Sequence, residues 1–207
     1  MGLFKKITSS VPSNIKREMK EKVTKAIQRF KLNATNKVIN STSTKSFEEF
    51  NKRWDVDGKD HIKTIMLYLI AALEYTKGNK DGEAMASLLL PTPRLHKNPK
   101  SPSGWALNKP TELFFLEHMK ENPNTPKSYL GGTPQNNYEI DENNLKLHVV
   151  QEGVKDREAV VVIQSAGKDF SSPCGLRLNK DGYWKIFKGT GSIATQSRIT
   201  DEEMWDF

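Results

Sequence analysis

Four histidines, one cysteine and a few neighbouring carboxylates are the residues of this 207-residue chain whose types suit catalysis or metal binding. His61, His96, His118 and His148 stand far apart, no His-Glu-x-x-His occurs, and Cys174 alone cannot build a zinc knuckle. No metal or other cofactor is expected from these residues. A Cys–His nucleophile pair would need Cys174 to face His148 across a sheet. Cys174 alternates in phase with Leu176 and Leu178, whereas His148 falls on the polar phase between Leu147 and Val149. The thiol is therefore expected in the core, as a small apolar residue. Asp57 and Asp60 have the spacing of a turn, and Glu202 and Glu203 that of an exposed tail. Gly131-Gly132-Thr133 and Gly189-Thr190-Gly191-Ser192 lack the Lys-Ser/Thr ending of a phosphate-binding loop and read as turns. No catalytic residue is assigned.

One segment is more specific. Pro126-Lys-Ser-Tyr129-Leu-Gly-Gly-Thr-Pro134-Gln-Asn-Asn-Tyr138 packs turn formers, amides and two tyrosines into a short stretch. Two readings stand side by side. In one, the asparagines satisfy buried backbone groups where helix meets sheet. In the other, Tyr129, Asn136, Asn137 and Tyr138 form a polar recognition loop for a ligand or protein partner, since loops on rigid scaffolds carry binding. The segment resembles a Pro-Arg-Ser-Tyr-Phe-x-Gly-Ala-Thr-Pro-x-Asn-Asn-Tyr motif of an uncharacterised family of small bacterial proteins. Ser165-Ala-Gly167, Ser172-Pro173, Leu176-Arg-Leu178 and Asp181-Gly-Tyr-Trp184 extend the resemblance. It covers roughly residues 47–190, with Lys127 and Gly132 standing where the motif has arginine and alanine. The resemblance implies a fold and no reaction.

The elements that must position these residues follow from periodicity. Ser46 and Glu49 have capping-box spacing before a short helix anchored by Phe47, Phe50 and Trp54. Asp60 caps the next, which carries Ile62, Ile65, Met66, Leu69, Ile70 and Leu73 and is the expected central helix. A third runs from Glu83 to Leu90, and Pro110 suits the first turn of a fourth that reaches about Glu121. The last third shifts to period two at Leu145–Val149, at Glu158–Gln164, from Cys174 and at Tyr183–Lys188, the last two joined by an Asn179–Gly182 turn. Helices first and strands later predict an α+β domain over residues 47–207. Its helices cover one face of an antiparallel sheet of about four strands.

The formal charge of +7 is unevenly placed. Residues 1–46 hold eleven basic side chains against two acidic ones, so the remainder is close to neutral. This arm carries an apolar stripe of Ile15, Met19, Val23, Ile27 and Phe30 behind a Ser13 cap, with a polar linker expected over Asn33–Lys45. Leu3, Phe4 and Ile7 interleave with Lys5 and Lys6, and Lys16, Arg17 and Lys20 follow, a pattern suited to an anionic membrane surface. The longest apolar run, Ile65–Leu73, falls short of the roughly 20 residues a bilayer crossing needs. No secretory h-region follows the first lysines, and a single cysteine forms no internal disulfide, so a cytoplasmic location is expected, with peripheral membrane attachment as its extension. The leading expectation is a non-enzymatic interaction or adaptor module whose arm contacts a membrane surface or a protein partner, self-association included. The alternatives are a small-molecule-binding domain or enzyme centred on the Tyr129–Tyr138 loop, and nucleic-acid binding through the basic arm. Scarce aromatics in the arm weigh against the last.

Overall fold

A computed structural model describes residues 32–200 and Glu203. The arm residues Leu3, Phe4, Lys5, Lys6, Ile7, Lys16, Arg17 and Lys20 lie outside the described residues, as does the expected amphipathic stripe of residues 15–30. The fold is α+β, with the helices gathered on one face of an antiparallel sheet.

The sheet has five strands, one more than the sequence suggests, in the order β1-β4-β5-β6-β7. They are β1 (Asn33–Ser41), β4 (Leu145–Lys155), β5 (Glu158–Gln164), β6 (Ser172–Leu178) and β7 (Trp184–Lys188). Every neighbouring pair is antiparallel. The additional strand is β1, which replaces most of the expected linker. An edge strand needs few apolar residues, because it is covered on one side only and its outer rim meets water. Ile39, paired with Leu147, supplies the core contact, while Val38, paired with His148, faces out and is 56% exposed. Asn36 adopts a left-handed φ of 42° at a register shift between Ala34 and Lys37, which roughens the free rim. The opposite rim is covered differently: Trp184 N–H donates to the Gly58 carbonyl and Ile186 N–H to that of Leu89, each at 2.8 Å.

Between β1 and β4 the chain builds its helical layer. Helix α1 (Phe47–Asp57) is capped by Ser46, whose hydroxyl accepts from Glu49 N–H at 3.3 Å. Helix α2 (His61–Thr76) is capped by Asp60, whose carboxylate accepts from the amides of Ile62 and Lys63. Both caps satisfy amides that have no partner inside the helix. From Ile62 to Glu74 only Lys63 of α2 escapes burial, so this is the central helix, sheathed by its neighbours and lying against the sheet. Its buried Glu74 is met by Lys77 at 2.7 Å, Asn79 at 2.8 Å and Ser43 at 3.2 Å.

Helix α3 (Gly82–Leu88) precedes a small hairpin of β2 (Leu95–Lys97) and β3 (Trp105–Leu107). Residues Lys109–Leu113 then form a wide π-type turn, and regular helix α4 (Phe114–Glu121) starts only after it. The sequence places Pro110 at the start of that helix. Pro110 does open the turn, but Leu113 N–H bonds back to the Asn108 carbonyl, five residues away, which widens it. Helix α5 (Asn124–Tyr129) leads into the motif segment, and α6 (Thr190–Ala194) follows β7.

Candidate functional site

The motif segment folds as a short helix, a glycine turn and a capped 3-10 turn. Helix α5 ends at Tyr129, Gly131 takes a φ of +110°, and Pro134–Asn136 form the 3-10 turn. Thr133 and Asn136 cap that turn reciprocally: Asn136 N–H donates to Thr133 Oγ1, and Thr133 N–H donates to Asn136 Oδ1 at 2.7 Å. Asn137 and Tyr138 then take φ values of 53° and 55°, which reverses the chain and drives the Tyr138 ring inward.

The four residues proposed for recognition therefore divide. Tyr129 and Tyr138 are 1% and 0% exposed, whereas Asn136 and Asn137 lie at the surface. The tyrosine hydroxyls are spent on internal bonds. Tyr138 reaches across Gly167 and donates to the Arg198 carbonyl at 2.8 Å. Tyr129 shares a 2.6 Å hydrogen bond with Ser172 Oγ.

Around Tyr129 lies a polar cluster that the sequence reading did not find. Lys168 Nζ donates to Tyr129 Oη at 3.0 Å and to the carbonyls of Ile193 at 2.8 Å and Ser192 at 3.2 Å. Ser172 Oγ donates to the same Ser192 carbonyl at 3.3 Å. Beside them, Ser128 Oγ meets Ser165 Oγ at 2.6 Å and receives a bond from Ser197 Oγ at 3.0 Å. Lys168 is 7% exposed, and burial pushes its ammonium down to about 7, against a small upward pull from Cys174. Burial likewise pushes the Cys174 thiol up to about 12 and raises the Tyr129 hydroxyl, so both stay neutral at physiological pH. Lysine is rarely found this deep, and nothing in Gly167-Lys168-Asp169 distinguishes it from a surface turn. Only the paired occurrence of Ser165-Ala-Gly167 and Ser172-Pro173 beside the motif marked the region.

A second buried group centres on Glu112 in the π-type turn. It forms an ion pair with Arg94, which also donates to the Phe187 carbonyl, and Thr190 Oγ1 lies 3.4 Å from its Oε1. Among the described residues, its Oε2 and the hydroxyl of Tyr68 have no hydrogen-bond partner. Burial above all, and the Glu112 charge after it, hold the Tyr68 hydroxyl far above its ordinary range.

The remaining candidates are dispersed. Cys174 is buried on the helix-facing side of the sheet, while His148 is exposed on the other, so no Cys–His pair forms. His61 bonds Glu152 at 2.8 Å, and Glu152 also meets Lys37 at 2.6 Å. No group of three or more His, Cys, Asp or Glu suited to a metal occurs among the described residues. No described helix is long and apolar enough to cross a membrane.

A family model described as "Domain of unknown function (DUF6935)" matches residues 42–200. The chain belongs to the DUF6935 family. No curated protein and no solved structure matches it significantly. The DUF6935 match takes in the motif, Lys168, Ser172 and the segment up to Thr200, and it starts just after β1, which nonetheless completes the sheet.

Proposed function

We propose that the protein is a non-enzymatic interaction module whose basic N-terminal arm brings the DUF6935 domain to an anionic membrane surface. The observation that carries this reading is the placement of charge. Of the eleven basic residues before position 47, Lys37 is tied to Glu152 and Lys45 lies 3.6 Å from Glu142. Residues 1–31 keep nine basic side chains and two acidic ones, which accounts for the whole net charge of +7. Residues 32–207 are balanced at 23 of each sign. Leu3, Phe4 and Ile7 supply apolar side chains beside Lys5 and Lys6, the composition of an interfacial peptide.

The interior supports the non-enzymatic half of the reading. Tyr129, Tyr138, Ser172 and Lys168 are committed to internal hydrogen bonds, and Cys174 is a neutral core residue. The test is binding of the full chain to vesicles of anionic and of zwitterionic lipid, alongside a duplex DNA. Binding to anionic vesicles alone, weakened by salt, is the expected result. Binding to duplex with none to vesicles would replace this reading with the nucleic-acid one.

A further inference from the structure

Residues 190–200 close over the Tyr129–Lys168–Ser172 cluster as a strap, and polar groups hold much of it in place. Lys168 and Ser172 bind its carbonyls at Ser192 and Ile193. Ser197 N–H donates to Thr125 Oγ1 at 3.4 Å, Ser197 Oγ to Ser128 Oγ, Arg198 N–H to the Gly167 carbonyl at 2.9 Å, and Tyr138 to the Arg198 carbonyl. Arg198 also pairs with Asp169. Ile193 and Ala194 seat in the core, while Ile199 remains 48% exposed.

The strap covers an unusual group. The other deeply buried charges have partners of opposite sign: Glu112 has Arg94, and Glu74 has Lys77. Lys168 has none, since no carboxylate among the described residues forms an ion pair with it and its acceptors are two carbonyls and a phenol. A buried ammonium held only by neutral acceptors is poorly compensated. Moreover, Lys168 Nζ and Ser172 Oγ converge on the carbonyl oxygens of two consecutive residues, with the Tyr129 hydroxyl between them.

We infer that the strap occupies an anion site: when residues 190–200 lift, Lys168 Nζ, Ser172 Oγ and Tyr129 Oη bind the oxygens of a small carboxylate or phosphate, whose places the Ser192 and Ile193 carbonyls now fill. Such an anion competes with the strap, so it shifts the population toward the lifted form in proportion to its preference for it. The closed site disfavours a charged lysine, so lowering the pH from the ordinary lysine range toward about 7 also favours lifting. Of the groups facing Lys168, Cys174 opposes the downward shift without reversing it. Cys174 from β6 and Tyr129 from α5 remain neutral, α6 brings no ionisable side chain, and Asp169 of its own loop is engaged by Arg198.

The test is amide hydrogen exchange of the full chain in sodium acetate, inorganic phosphate or sodium chloride at equal ionic strength, at pH 6.5 and 8.5, corrected for intrinsic rates. Acetate or phosphate is expected to speed exchange in residues 190–200 several-fold over chloride, more at pH 6.5, with α2 unchanged. The responding anion identifies the ligand class. Lys168→Met is expected to abolish both responses, and Lys168→Arg, should the first variant fold poorly, to keep the anion response while losing the pH step. Equal strap exchange in all three salts at both pH values would overturn the inference, as would an undiminished anion response in folded Lys168→Met.

Discussion

At the residue scale, Lys168 and Tyr129 illustrate what a sequence reading can reach. Tyr129 is identifiable because it sits in a motif of unusual composition, and its side chain is buried. Its hydroxyl belongs to a directed chain, from Lys168 through Tyr129 and Ser172 to the Ser192 carbonyl. Lys168 was illegible because burial, and not its neighbours in sequence, defines it. Tyr129→Phe leaves Lys168 and Ser172 each short of a partner, and is expected to cost about 1–3 kcal/mol in urea unfolding. The lysine also sets a pH dependence of stability. Its folded-state pKa of about 7 lies below the ordinary value of 10.5, so between these the unfolded chain binds more protons. Stability therefore rises with pH over the window from 7 to 9, where burial keeps Cys174, Tyr68 and Tyr129 neutral. Lys185, pushed down to about 8 by burial, acts in the same direction. Urea midpoints at pH 7 and pH 9 are expected to differ by less in Lys168→Met than in the parent, with the residual slope due to Lys185.

At the element scale, the strongly patterned segments were readable and the edge was not. Helix α2 declared itself by its broad apolar stripe and Asp60 cap, and β5 by its β-branched run, because each is buried against several neighbours. Asp60→Ala removes two accepted amide bonds and is expected to lower stability by about 1 kcal/mol in thermal or urea unfolding. Strand β1 reads as a linker in sequence because an edge strand buries one face only, and Asn, Ser and Thr satisfy the rest. Its contribution is measurable by truncation. Deleting residues 1–31 is expected to leave the urea midpoint unchanged. Deleting residues 1–41 removes the Ile39–Leu147 and Lys37–Glu152 contacts and bares the rim of β4, so the midpoint is expected to fall and light scattering to report self-association.

At the scale of the whole molecule, structure and charge divide the chain at different points. The sheet begins at Asn33, the family match at residue 42, and the excess positive charge ends at Lys31. The sequence alone places the division near residue 46, where the polar stretch Asn33–Lys45 ends before the Ser46 cap, and so counts Lys37 and Lys45 with the arm. Assigned to the strand and its exit, they leave an electrically balanced domain behind an arm of nine bases. The central claim is that this arm, and not the domain, carries the affinity for an anionic surface. Co-sedimentation with vesicles rich in anionic lipid tests it most directly, comparing the full chain with one carrying Lys5→Gln, Lys6→Gln, Lys16→Gln, Arg17→Gln and Lys20→Gln. At about 1 kcal/mol per basic residue near the membrane, the account predicts a loss of partitioning on the order of 100-fold or more in the substituted chain, and a steep decline with salt in the parent. Equal partitioning of the two chains, or none for the parent at low salt, would contradict it.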